Sequence, residues 1–95
     1  MPTSVAPRDA WAMVERREAR ILDLRTRAER KLNGYPPGAQ KVSLVRHVVR
    51  PQGPGAIYLC QHAVRSKLVL RRGALEVAGG FARWRDSGLP VTGAV

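Results

Sequence analysis

Apolar positions along this chain come in short clusters separated by turn residues, and the spacing inside each cluster predicts its element. Between Ser4 and Arg17, residues Ala10, Trp11, Met13 and Val14 recur as one helical stripe, and Pro7 stands where a first helical turn tolerates it. Ala19 to Leu24 is a short aliphatic run that predicts a strand. Thr26 and Glu29 have the spacing of a capping box, so a second helix is expected from about Arg27 to Leu32, stopping at Asn33-Gly34. Tyr35-Pro36-Pro37-Gly38-Ala39 predicts a rigid turn. Lys41 to Leu44 reads as a strand, and Val45 to Arg50 suits either its extension or a short helix. After the loop Pro51 to Gly55 comes Ala56-Ile57-Tyr58-Leu59, apolar on both faces, as a strand in the middle of a parallel sheet would be. Ser66 to Arg72 predicts a helix of about two turns ending near Gly73, and Ala74 to Val77 a short last strand. Gly79-Gly80 breaks the pattern and lets backbone pass closely. Phe81 to Arg85 then restarts a helical face that stops at Ser87-Gly88-Leu89-Pro90. Strands alternating with helices predict an α/β domain.

At 95 residues the chain has room for one small domain spanning 1–95, with residues 1–5 and 92–95 expected to fray. The first residues carry no apolar core of a leader, and no stretch approaches the roughly 20 apolar residues that span a bilayer, so a cytoplasmic protein without membrane contact is expected. The single cysteine, Cys60, cannot form an internal disulfide, which agrees with a reducing compartment.

The net charge of +10 raises the question of nucleic acid, but the basic residues are spread from Arg8 to Arg85 and interleaved with acids, as in Glu15-Arg16-Arg17-Glu18. No aromatic platform accompanies them, which argues against a dedicated nucleic-acid face. A general attraction for small anions follows more safely.

The chemistry is concentrated where the apolar strand ends. Cys60 closes it, four residues follow (Gln61, His62, Ala63, Val64), and Arg65 and Ser66 open the next helix. Open α/β sheets keep their ligand crevices at the carboxyl ends of central strands. A helix N-terminus and an arginine both favour an anion on sulfur, which makes Cys60 a candidate nucleophile. A lone cysteine after a buried strand is equally well read as a small buried hydrophobe, and composition leaves both readings open. His62, in the middle of the loop, either donates to a substrate or is an exposed side chain.

Several pieces, taken in order, resemble one known family. They are Asp23-Leu24-Arg25, Tyr35-Pro36-Pro37-Gly38-Ala39, Cys60 with Arg65-Ser66 after four residues, Gly79-Gly80-Phe81-Ala82-Arg83-Trp84, and Gly88-Leu89-Pro90-Val91. Together they span nearly the whole chain and are similar to the rhodanese (thiosulfate sulfurtransferase) domain. The resemblance implies a three-layer α/β domain with a central parallel sheet, compressed near the C-terminus. It also implies that Cys60 carries sulfane sulfur as a persulfide from a small anionic donor such as thiosulfate to a thiol or cyanide acceptor, including a protein thiol. No cofactor or metal is expected.

Within that resemblance, residues Gln61 to Ser66 would cradle the persulfide with their N–H groups, and Arg65 would bond loop carbonyls or neutralise an incoming dianion. Asp23 and Arg25 would lie beside the crevice, with Arg25 a second cation for the donor. The alternative is that Asp23 caps backbone donors and Arg25 faces solvent. Trp84 would stand near the crevice wall, although an aromatic in a helix is usually core. Related phosphatases use a cysteine loop one residue longer, so the four-residue interval points away from phosphate.

Three positions depart from the family pattern. Tyr35 stands where a histidine is usual. Ala63 stands where glycine is common, and a positive φ there would cost an L-residue roughly 1–2 kcal/mol. Only Lys67 to Ala78 separates Ser66 from Gly79, too little for a full helix and an edge strand, so one of them is clipped. A second copy of the chain, making a homodimer, is one way to cover the sheet edge this exposes. A sulfurtransferase and a catalytically weak module that docks on, or delivers sulfur to, a partner protein are the two functions the sequence supports.

Overall fold

The strand that ends at Cys60 is the centre of the molecule. In the computed structural model, which describes residues 3–93, Ala56–Leu59 is buried at all four positions. The chain runs through β1 (Ser4–Val5), α1 (Pro7–Glu15), β2 (Arg20–Asp23), α2 (Arg27–Asn33), β3 (Gln40–Lys41), α3 (Leu44–Val49), β4 (Ala56–Leu59), a 3-10 helix (Arg65–Val69), β5 (Leu75–Val77) and α4 (Gly80–Asp86). The five strands form one sheet in the order β1-β5-β4-β2-β3, and every pairing is parallel.

Alternation along the strands sends neighbouring residues to opposite faces and so builds two cores. Ile21, Ile57, Leu59 and Val77 face α1 and α4, where Ala10, Phe81 and Trp84 complete one apolar cluster. Leu22, Tyr58 and Cys60 face the other way, toward Val69 and Ala74, with Leu44 and Val48 of α3 packed against them. The helix α2 buries none of its own residues. Its place is fixed by polar contacts, described below.

The capping box expected at Thr26 is present: the Thr26 hydroxyl accepts from the Glu29 N–H and Glu29 accepts from the Thr26 N–H. The ambiguous Val45 to Arg50 segment is helical, because Ser43 caps it by accepting from the Arg46 N–H, and the preceding strand shortens to Gln40–Lys41.

The shortened segment after Ser66 loses its helix and keeps its strand. What remains of the expected two-turn helix is the 3-10 helix, while β5 pairs with β4 on one side. The other edge of β5 is covered by the chain's own Ser4–Val5, with Glu76 N–H bonded to Thr3 O at 2.8 Å and Ala78 N–H to Val5 O at 2.9 Å. The first helix accordingly begins at Pro7, and Ser4 and Val5, expected to fray, are a sheet strand. Thr92 is likewise held, exchanging two 2.9 Å backbone bonds with Tyr35. Residues 1, 2, 94 and 95, also placed in the fraying ends, lie outside the described residues.

Candidate active site

Cys60 lies at the carboxyl end of β4, with strands on both sides of β4. The loop that follows is fastened from below by α4. Phe81 N–H donates to the Cys60 carbonyl at 2.9 Å and Ala82 N–H to the Gln61 carbonyl at 3.1 Å. This approach requires glycine at position 80: a Cβ there, at φ +68°, would stand 2.5 Å from Cys60 O and 2.6 Å from Gln61 O. In a trans peptide the N–H points opposite to the C=O of the same unit. With both carbonyls turned to α4, the N–H groups of Gln61 and His62 are turned away from it.

Those N–H groups are not spent inside the protein. Among the described residues none of the five consecutive amides from Gln61 to Arg65 has a protein acceptor. Ala63 makes the turn possible with φ +58°, the left-handed conformation that glycine would adopt without strain. An alanine therefore holds the left-handed conformation here, with local strain at one residue.

The thiol itself is enclosed, since Cys60 is only 1% exposed. Its hydrogen-bond partner is Ser66, with Sγ and Oγ 3.7 Å apart. The rim above is formed by exposed side chains, His62 and Val64, and His62 makes no side-chain hydrogen bond among the described residues. Hollows lie elsewhere, one on α3 between Val45, Val49 and Arg50 and one at the amino ends of β2 and β4 beside Arg20 and Gly55.

Arg65 does not bond the loop carbonyls. Its guanidinium makes a two-point pair with Glu29 of α2, 2.9 Å to Oε1 and 2.7 Å to Oε2. This contact holds Glu29 down to about 2, mainly through the Arg65 hydrogen bonds against an opposing cost of burial. Arg65 is in turn held more firmly charged, by Glu29 first, with a smaller contribution from Cys60. The charge of the arginine is therefore met chiefly by the carboxylate, with the sulfur a lesser influence. Because the helix opening at Arg65 is a five-residue 3-10 turn, a helix dipole adds little, and the positive side of the site consists of loop amides and this guanidinium.

Asp23 and Arg25 are at the end of β2 as expected, but both are fully buried. Arg25 donates from Nε to Asp23 Oδ1 at 3.0 Å and from Nη2 to Oδ2 at 2.8 Å, and Asp23 also accepts from the Arg25 backbone N–H. Two further donors go to Gly34 O at 2.8 Å and to the Gln61 side chain at 3.1 Å, and the guanidinium lies 4.1 Å over the Phe81 ring. A guanidinium consumed in this way is neither a free cation for a donor nor a solvent-facing side chain. It ties the ends of β2 and α2 to the cysteine loop.

Trp84 is fully buried, donates to Pro90 O at 2.9 Å and packs edge-on against Trp11, which makes it core and not crevice wall. Tyr35 also has a structural explanation: Arg30 stacks 3.8 Å over its ring, and its backbone pairs with Thr92. Sequence reasoning missed three participants near the sulfur: Glu29, the Gln61 side chain as an anchor, and Glu76. For Glu29 the capping box was the visible role, and nothing in its spacing signalled Arg65, 36 residues away.

No protein-family model matches the sequence, and no curated protein does. Solved structures do resemble it. A rhodanese-related protein from Thermoplasma volcanium superposes with a TM-score of 0.77 at 19% identity over 95% of this chain and 97% of that one. Thiosulfate sulfurtransferase from Pseudomonas aeruginosa gives a TM-score of 0.79 at 16% identity, covering 99% of this chain and 20% of the larger protein. A protein from Rhodopseudomonas palustris described as a possible tyrosine phosphatase gives 0.76 at 24% identity over 96% of this chain and 85% of that one. With its all-parallel sheet flanked by helices, and with likenesses of this extent, the chain has the rhodanese-like α/β fold.

Proposed function

We propose that this protein moves sulfane sulfur from a small anionic donor such as thiosulfate to a thiophilic acceptor, cyanide or a thiol, through a persulfide on Cys60. The observation that carries the proposal is the run of five amides, Gln61 to Arg65, without protein acceptors beside the thiol at the end of the central strand. Such a nest suits an anion larger than a proton-bearing thiol.

In the first step the Cys60 thiolate attacks the outer sulfur of thiosulfate. The sulfur–sulfur bond of the donor breaks, sulfite leaves with the bonding pair, and the terminal sulfur of the new persulfide carries the negative charge. In the second, the acceptor attacks that terminal sulfur and Cys60 leaves as the thiolate. With cyanide the product is thiocyanate. The loop amides serve the terminal sulfur, Arg65 offsets its charge, and Gln61 through Arg25 keeps the loop in register. None of these steps needs a cofactor. The four-residue interval between Cys60 and Arg65 favours sulfur over the larger phosphate.

Thiocyanate formation from thiosulfate and cyanide tests this reading. The wild-type protein should turn over, and Cys60→Ser should not. A serine variant with full activity, or hydrolysis of p-nitrophenyl phosphate in place of thiocyanate formation, contradicts it.

A second reading has its own support: Cys60 is 1% exposed and Arg65 is engaged with Glu29. In that reading the protein is a slow catalyst with small donors and exchanges sulfur with a partner's protein thiol. Persulfide formed readily from a protein donor but sluggishly from thiosulfate would select it. A single free thiol suits a reducing, cytoplasmic setting, and among the described residues no helix is long and apolar enough to cross a membrane.

A further inference from the structure

One buried carboxylate takes no part in the chemistry just described. Glu76 stands on β5, 1% exposed, with Oε1 2.6 Å from Ser66 Oγ. Its Oε2 is paired with the ammonium of Lys67. Ser66, equally buried, is the residue whose hydroxyl meets Cys60 Sγ at 3.7 Å. A buried chain of contacts therefore runs from sulfur through a hydroxyl to a carboxylate and out to an exposed lysine.

The direction of the hydrogen bonds along that chain is set by counting protons. A carboxylate only accepts, and a serine hydroxyl has one proton to give. Glu76 takes that proton, so Ser66 presents lone pairs to the sulfur. A thiol can donate to those lone pairs. A sulfur anion cannot. We propose that Glu76, acting through Ser66, is a positioning residue that holds Cys60 in its resting thiol form, and that Lys67 sets how strongly it does so. The proposal rests on Cys60 being the sulfur carrier and adds a control of its readiness.

The other groups around the chain are accounted for. Arg65 of the 3-10 helix is paired with Glu29 of α2, and Arg25 at the end of β2 reaches the loop at Gln61. Across the sheet from Glu76 is Tyr58 of β4, whose hydroxyl accepts from Gln52 N–H and meets His47 of α3. On the outer side Glu76 N–H meets Thr3 O, just ahead of the edge strand. Lys67 is the one charged partner of the Glu76 carboxylate among the described residues.

The test is the rate at which iodoacetamide alkylates Cys60 in the full-length protein at neutral pH, a readout that needs no sulfur donor and so stands apart from the transfer assay. Glu76→Gln keeps the shape and removes the charge, and its amide can turn an N–H toward Ser66 Oγ, which leaves the Ser66 proton for sulfur. Alkylation should accelerate about tenfold, the scale of one charged hydrogen bond. Lys67→Met, at a side chain 61% exposed, should slow it. Both effects should shrink to less than about twofold when Ser66→Ala is present, because coupling through a shared partner vanishes with that partner. Unchanged or slower alkylation of Glu76→Gln, or full effects persisting without Ser66, overturns the proposal. Should Glu76→Gln fail to fold, the Lys67→Met pair with and without Ser66 decides the question alone.

Discussion

Arg65, the cation of the cysteine loop, is bonded at both of its terminal nitrogens to the two oxygens of Glu29, at 2.9 and 2.7 Å, across 36 residues of sequence. The same glutamate closes the capping box of α2, so one side chain joins a helix start to the sulfur site. Since α2 buries no residue of its own, this pair, the Arg25 bond to Gly34 and the contacts of Arg30 with Asp23 and Ala39 O hold it in place.

That arrangement has a pH signature. Glu29 ionises at about 2 in the folded protein against 4.5 for a free side chain. A carboxylate depressed on folding stabilises the fold above the unfolded value and loses that contribution as pH falls through the folded one. Glu29→Gln keeps a residue able to close the capping box and removes the ion pair. Urea unfolding above about pH 4.5 should show the variant less stable by about 0.5–1 kcal/mol, the scale of a partly exposed pair. The gap should close as pH falls toward about 2. An equal gap at both ends contradicts the assignment.

Asp23 is the counter-charge of a guanidinium with no exposure, and also lies 3.1 Å from Arg30 Nε. Removing one partner of a buried pair strands the other. Asp23→Asn should therefore cost about 3–5 kcal/mol in denaturant unfolding, or leave the protein insoluble. Near-normal stability with impaired donor binding would instead assign Asp23 to the substrate.

The loop offers two substitutions with opposite expected signs. Ala63→Gly relieves a φ of +58° and should raise stability by about 0.5–1 kcal/mol, after the greater freedom of glycine in the unfolded chain is deducted. Gly80→Ala sets a methyl 2.5 Å from the Cys60 carbonyl at φ +68° and should lower stability by about 2 kcal/mol or more. Thermal unfolding of the two variants reads both signs. A stable Gly80→Ala protein would mean that the loop does not rest on α4 as described.

How far the sequence disclosed all this depended on whether the signal was local. The capping box at Thr26, the both-faces-apolar strand before Cys60 and the close-approach glycine at 80 each follow from neighbours in the chain, and each was legible. Val45 to Arg50 was not, because its apolar residues suit either a strand or a helix until Ser43 is seen capping it. The two-residue strand Ser4–Val5 is too short to show alternation, and only the open edge of β5 gives it a place. At the site, the thiol and the loop length could be read directly. The partners of Arg65, Arg25 and Ser66 could not, since Glu29, Gln61 and Glu76 reach them through folding alone.

The most direct measurement is the intact mass of the protein after incubation with thiosulfate and removal of the excess. The account predicts the added mass of one sulfur atom, located on Cys60 by fragmentation, lost on treatment with cyanide and absent from Cys60→Ser. A folded protein whose mass stays unchanged with thiosulfate and with persulfide donors alike would contradict it.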